Sequence, residues 1–181
     1  GAIGSADVVV MQLETPIDTV RAAAQLAASR KVRVILNPAP AQPLSDDILK
    51  CVSVLTPNET EAELLTGIKV DNDEQAAAAA KVLRDRGIEI AIITLGARGV
   101  YVSSKELTGI VGGFKVKPVD TTAAGDVFNG ALAVAMAEKR PLAEAVRFAN
   151  AAAALSVTRL GAQPSAPKRT EIEQMLNSAA S

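Results

Sequence analysis

Three short segments carry the residues whose types and spacing could do chemistry. In Val119-Asp-Thr-Thr-Ala-Ala-Gly-Asp-Val-Phe-Asn-Gly130, a run of small residues leads straight into an Ala-rich stretch of helical character. The amides of Ala123, Ala124, Gly125 and Asp126 can then point at one spot, where the dipole of the following helix is positive, and such a spot binds anions. The side chains before the helix are small, so a phosphate can approach the backbone. Asp126 sits in the first turn, where the dipole stabilises a carboxylate. The same residues also read as a plain helix start, with Asp120 or Thr122 as cap and Asp126 as a favourable first-turn acid. Asn58 and Glu61 stand three apart at the start of another predicted helix and share one face. They also have the spacing of a capping box. In Thr94-Leu-Gly-Ala-Arg-Gly99, Gly96 and Gly99 let the backbone lie close to a bound group, or close a tight turn. Arg98 can reach a phosphate or face solvent.

These segments need elements to position them. Val- and Ile-rich clusters alternate with Ala-rich stretches of helical period. Strands are predicted over 6–13, 32–36, 52–55, 89–94 and 100–102, and a meander follows through 113–117. Helices are predicted over 16–30, with Thr15 as N-cap and Pro16 at N1, and over 45–50, 58–65 and 71–86. Two long helices, 125–138 and 142–159, and a last one near 168–177 complete the chain. Strand–helix alternation implies parallel strands joined by right-handed crossovers. Near-continuous apolar strands suit a sheet covered on both faces. The expectation is an α/β fold in three α-β-α layers, mostly parallel, with an antiparallel edge. Ligands of such sheets sit beyond the carboxyl ends of the strands, where the loops 14–16, 37–40, 56–58, 94–99 and 120–126 fall.

Composition excludes several classes of function. The 181 residues suit a single domain, expected here as one unit over 1–181. Nineteen Lys and Arg against 20 Asp and Glu leave a charge of −1, which argues against sequence-independent nucleic-acid binding. There is no histidine, so imidazole acid–base chemistry and His-based metal sites are excluded within this chain. The one cysteine, Cys51, allows no intrachain disulfide and fits a reducing cytoplasm. No apolar run approaches the ~20 residues that span a bilayer, so no membrane association is expected. Neither a Walker P-loop nor a G-x-G-x-x-G fingerprint is present, which disfavours a NAD oxidoreductase.

Taken together and in order, the three segments resemble the ribokinase-like (pfkB) carbohydrate kinases. Asp120-Thr-x-Ala-x-Gly-Asp126 followed by Phe128-Asn-Gly130 is similar to that family's C-terminal signature. Thr56-Pro-Asn-Glu-Thr-Glu61 is similar to its Asn-x-x-Glu motif, and Thr94–Gly99 to its nucleotide-binding glycine turn. Met11–Pro16, Asn37–Pro40 and Gly161–Ser165 point to the branch that phosphorylates D-ribose. The resemblance implies a ribokinase-like fold and transfer of the ATP γ-phosphoryl group to a sugar hydroxyl, D-ribose giving D-ribose 5-phosphate. Fructokinase, ketodeoxygluconate kinase and a non-catalytic nucleotide-binding half-protein are the alternatives.

The resemblance also assigns roles. Asp126 would be the base for the attacking hydroxyl, with Ala123, Ala124 and Gly125 as anion hole. Asn58, Thr94, Leu95, Gly96, Ala97, Arg98, Gly99, Gly125 and Asn150 would bind ATP, Asn150 beside the adenine. Glu61 would hold magnesium through water, and Glu14 would contact the sugar. Asp120, with carbonyls of Thr122, Ser156, Arg159 and Gly161 and with Ser165 closing the loop, would hold potassium. Members of the family are longer, so the chain is expected to be the C-terminal ATP-binding portion, without the N-terminal sugar-binding and lid portion. Alone it is expected not to turn over sugar; at full length a homodimer is possible.

Overall fold

The computed structural model describes residues 1–179. Strands β1 (Val8–Met11), β2 (Arg33–Leu36), β3 (Val54–Leu55), β4 (Ile90–Thr94), β5 (Gly99–Ser103) and β6 (Thr108–Gly112) lie in one six-stranded sheet, side by side in sequence order. The first four run parallel, with Val10 opposite Ile35, Ile35 opposite Val54, and Val54 opposite Ile90. Residues 104–107 join β5 to β6, and Ser104 N–H donates to the Leu107 carbonyl at 2.9 Å. So short a connection can only be a hairpin, which supplies the antiparallel edge.

Helices α1 (Ile17–Ser29), α2 (Asp46–Leu49), α3 (Glu59–Thr66) and α4 (Asp73–Asp85) connect the parallel strands. Their inward stripes are short side chains at helical spacing: Val20, Ala24 and Ala27 on α1, and Ala76, Ala79, Ala80 and Leu83 on α4, all buried. All of these but Ala24 pack with Val34, Leu36, Leu55, Ala91 and Ile93 into one core. The alternate strand residues Ile35, Val54, Ile92 and Val102 are buried as well, so the sheet is covered on both faces. Helices α5 (Ala124–Ala137), α6 (Leu142–Ser156) and α7 (Arg169–Ser178) follow. Phe128, Leu132, Ala135, Val146, Phe148, Ala149 and Ile172 are among the buried residues of this group.

The described residues divide into two compact units. One takes Gly1–Leu95 and Tyr101–Ile110; the other takes Gly96–Val100 and the chain from Val111 onward.

Several boundaries differ from the expectation. Pro16, not Thr15, is the N-cap of α1, and no side chain caps that helix. Proline has no N–H to bond and its fixed φ leads into the first turn, so the helix starts without a hydroxyl cap. The second hairpin strand lies at 108–112, before the predicted meander. Short 3₁₀ turns at Ala2–Ser5, Gly96–Arg98 and Gln163–Ser165 break up stretches read as irregular.

Candidate active site

The first unit holds Asn58, Glu61, Thr94, Leu95 and Glu14. Asn58 and Glu61 form a capping box at the start of α3. The Glu61 amide donates to Asn58 Oδ1 at 2.8 Å, and the Asn58 amide donates to Glu61 Oε2 at 2.8 Å. Gly67 closes the same helix at φ 74°. The capping box read from the spacing is present, and Glu61 spends one carboxylate oxygen on it. It is only 6% exposed. Burial pushes its carboxyl above the ordinary carboxylate range, against the pull of the hydrogen bond from Asn58. The box sits directly against the end of β4: Asn58 bridges to Thr94, and Thr94 N–H donates to the Pro57 carbonyl at 2.9 Å. Leu95 is buried, and Glu14 is exposed in the loop after β1.

The second unit holds the small-residue turn and α5. Ala123 adopts the left-handed conformation, φ 60° and ψ 11°, as N-cap of α5. Val127 N–H makes the first helical bond, to the Ala123 carbonyl at 2.9 Å. The amides of Ala124, Gly125 and Asp126 precede that first helical bond. Ala124 N–H donates to the Thr121 carbonyl at 3.3 Å, so this expected anion donor is already engaged. A β-carbon added at Gly125 would meet nothing within 4 Å, so the protein leaves open space there. Asp126 is exposed and borders a groove of about 680 Å³ that Val127, Val134, Phe148, Arg169 and Ile172 also line. Asn129, from the Phe-Asn-Gly triplet, donates its Nδ2 to the Gly125 carbonyl at 2.8 Å and braces the first turn.

Asp120 holds this turn from behind. Oδ1 accepts from Thr122 N–H at 2.9 Å, and Oδ2 accepts from Gly161 N–H at 2.9 Å. The Thr122 hydroxyl and amide, then the Gly161 amide, hold the carboxyl below the usual range. It is thus an anionic brace between the turn before α5 and the loop after α6, and not a cap of α5. In that loop Arg159 N–H donates to the Ser156 carbonyl at 3.0 Å, and the Ser165 hydroxyl donates to the Ala162 carbonyl at 2.6 Å. The Arg159 side chain pairs with Glu171 at 2.6 Å. Among the described residues no three acidic, His or Cys side chains cluster as a metal site, so a cation here would depend on carbonyl oxygens.

Two residues expected at the nucleotide are engaged within the protein. Gly99, at φ 96°, lies so close to the end of β6 that a β-carbon would stand 2.3 Å from the Val111 carbonyl oxygen and 2.4 Å from Gly113 N. Its glycine is demanded by chain packing. Asn150 is buried on α6, and its Nδ2 donates to the carbonyls of Val111 and Gly112 at 3.0 and 3.3 Å. Its amide thus clamps β6, which leaves Oδ1 for any ligand. Gly96 sits at φ 57° with nothing near its missing side chain, and Ala97 and Arg98 are exposed. Sequence reasoning gave no role to Gly113, and Asn129 entered only as part of the Phe-Asn-Gly triplet. The Gly112-Gly113 pair was the one available signal, but its partner lies across the hairpin.

Comparison with known proteins adds to this geometry. Residues 2–169 match the family described as pfkB family carbohydrate kinase. The chain is similar to the ribokinase of Haemophilus influenzae, with 52% identity over 177 residues, covering 98% of this chain and 58% of that protein. It is 42% identical to the ribokinase of Staphylococcus aureus, covering 96% of this chain and 58% of the relative. Among solved structures, Arabidopsis thaliana ribokinase complexed with ribose and ATP superposes with a TM-score of 0.91 at 33% identity, over 96% of this chain and 57% of that one. The chain thus spans under three fifths of the length of the curated relatives it matches.

Proposed function

The chain belongs to the pfkB family of carbohydrate kinases, and from that premise we propose that it is the C-terminal, ATP-holding portion of a sugar kinase acting on D-ribose. The observation that carries this reading is the start of α5. Backbone amides, a left-handed Ala123, open space at Gly125 and an exposed Asp126 all stand within one helical turn. Phosphoryl transfer asks little covalent chemistry of a protein; it asks for positioning and for charge stabilisation. ATP supplies the phosphoryl group. The amides of Gly125 and its neighbours hold it by their partial charge, without a P-loop lysine. Asp126 takes the proton of the sugar hydroxyl. A carboxylate is a weak base for an alcohol, and it suffices where the transition state is loose and the proton moves late.

The other roles follow the same reading. The turn at Gly96, Ala97 and Arg98, with Thr94 and Leu95 before it and Asn150 Oδ1, lines the nucleotide. Asn58 and Glu61 orient hydrated magnesium; the fit rests on the Glu61 oxygen left over from the cap, since magnesium prefers oxygen ligands and keeps its waters. Asp120, anionic and braced, holds potassium together with carbonyls of Thr122, Ser156, Arg159 and Gly161 and with Ser165. The relatives named ribokinase support D-ribose as acceptor, with Glu14 as one sugar contact. No helix of the described residues is long and apolar enough to cross a membrane.

Asp126→Asn tests the assignment. The 181-residue chain should bind a non-hydrolysable ATP analogue, and the variant should bind it nearly as well by calorimetry. When the chain is joined to the remaining residues of the Haemophilus ribokinase, transfer to D-ribose should fall by ~10²–10⁴ in the variant, the range for a lost general base. Wild-type turnover in the variant would remove Asp126 from the role. No nucleotide binding by the wild-type chain would remove the reading as a whole.

A further inference from the structure

We infer that Asn37 is a further binding residue for the nucleotide, its side-chain amide donating to a phosphate oxygen at the carboxyl edge of the sheet; this rests on the reading of that edge as part of an ATP site. Seven polar side chains are buried among the described residues. Six of them, Thr56, Glu61, Asn129, Asn150, Ser156 and Ser165, hydrogen-bond to a neighbouring group of the protein. Asn37 is the seventh, 7% exposed, and its side chain bonds to none of the described residues. Buried polar groups are nearly always paired, because leaving one without a partner is costly, so this one needs a cause. Its nitrogen and oxygen are not wholly sealed from the surface, so they stay reachable from outside. Asn37 has no helix to cap, since Pro38 follows it and the next helix begins at Asp46.

The sheet decides where the amide stands. Asn37 N–H continues the β1–β2 ladder by donating to the Met11 carbonyl at 2.9 Å. Thr56 N–H continues the β2–β3 ladder by donating to the Leu36 carbonyl at 3.1 Å. Side chains alternate along a strand and register partners share a face, so Asn37 lies on the face of Ile35 and Val54, beside Thr56. Thr94 ends β4 on that same face, after Ile90 and Ile92. Each of the three strands is thus apolar inside, at Ile35, Val54 and Ile92, and polar at its carboxyl end, at Asn37, Thr56 and Thr94. Ligands of parallel sheets bind at this edge. The Asn58–Glu61 box starts two residues past Thr56 and folds the Glu61 carboxylate back to within 2.8 Å of the Asn58 amide. A carboxylate therefore already stands at the end of the neighbouring strand. A second acid at 37 would repel phosphates and press Glu61 toward its protonated form. A neutral amide does neither, and its N–H groups make charge-assisted bonds to phosphate oxygens that offset the burial.

Asn37→Leu separates this role from a structural one. An apolar side chain of similar shape in place of an unpartnered buried amide should leave Tm of the ligand-free 181-residue chain equal to or above that of the wild type. Calorimetry with a non-hydrolysable ATP analogue and magnesium should show binding weakened about tenfold to a hundredfold, the range for one lost hydrogen bond to a charged group. Binding of adenosine, which has no phosphates, should stay within about twofold. Asn37→Asp keeps the size, removes the donor and adds a charge; it should bind the analogue no better than N37L, and it carries the test should N37L pack poorly. Wild-type affinity in either variant would overturn the inference. So would an equal loss for adenosine, a lowered Tm in N37L that accounts for the loss, or tighter binding by N37D in magnesium, which would make residue 37 a metal ligand instead of a phosphate donor. If the wild-type chain binds no nucleotide, the functional reading fails and takes the inference with it; if the wild type binds and N37L binds equally, the inference alone fails.

Discussion

Exchanging Glu61 for Gln separates the two duties that the capping box places on one side chain. Gln retains an amide oxygen that can accept from the Asn58 amide, now bonded to Glu61 Oε2 at 2.8 Å, and Gln is an accepted N3 partner in such boxes. The cap should therefore survive. Asn58→Ala removes the acceptor for the Glu61 amide, and loss of an N-cap costs ~1 kcal/mol. For a chain of this length that lowers Tm by about 2–4 °C. E61Q should not lower it. Burial raises the Glu61 pKa above its ordinary 4.5, so the folded state holds that proton more tightly than the unfolded chain does. The sign follows: relative to E61Q, the wild type is at its most stable below pH 4.5 and loses that margin as the pH rises through the folded pKa. At neutral pH, E61Q should equal or exceed the wild type in urea denaturation, while the magnesium dependence of ATP-analogue binding should largely vanish. Two results would refute the reasoning. A drop in E61Q stability as large as in N58A would show that the charge makes the cap. Unchanged magnesium dependence would leave Glu61 a cap and nothing more.

Two further expectations concern the turn and the cation. Gly96→Ala and Gly67→Ala place alanine at left-handed positions, φ 57° and 74°, with nothing nearby in either case, so both should cost ~1–2 kcal/mol of stability. Only G96A should weaken ATP-analogue binding in calorimetry. Asp120→Ala leaves the Thr122 and Gly161 amides without their acceptor; ATP-analogue binding measured in potassium and in tetramethylammonium should differ for the wild type and converge for the variant.

Legibility from sequence followed the range of the interactions. The α3 cap and its Gly67 stop are local, and Asn58, Glu61 and Gly67 gave them away by type and spacing. The Ala-rich stripes of α1 and α4 did the same through their period. The parallel order of β1 to β4 was readable because strand–helix alternation admits few topologies. Thr15 misled because a hydroxyl before a proline looks like a cap, whereas Pro16 itself occupies the N-cap position. Gly99 shows a different limit. Its place in a glycine turn after a strand suggests a ligand, and the atoms that forbid a side chain there belong to residues 111–113, out of reach of local spacing. Asn150 shows the same limit, since its partners Val111 and Gly112 are distant in sequence. Asp120 was read as either a cap or a cation ligand. The structure gives it a third task, bridging Thr122 and Gly161, which local spacing does not encode.

The central claim is that the N-terminus of α5 receives the phosphates of ATP, and Gly125→Val tests it most directly. A β-carbon at this position meets nothing within 4 Å in the protein, and its φ is not positive, so neither a clash at the β-carbon nor backbone strain opposes the substitution. Any loss must then come from the ligand. Calorimetry of the 181-residue chain with a non-hydrolysable ATP analogue should show binding weakened by at least ~10²-fold, with Tm and circular dichroism as in the wild type. Wild-type affinity in G125V would mean that the phosphates lie elsewhere, and the assignment of the α5 turn and of Asp126 would fall with it.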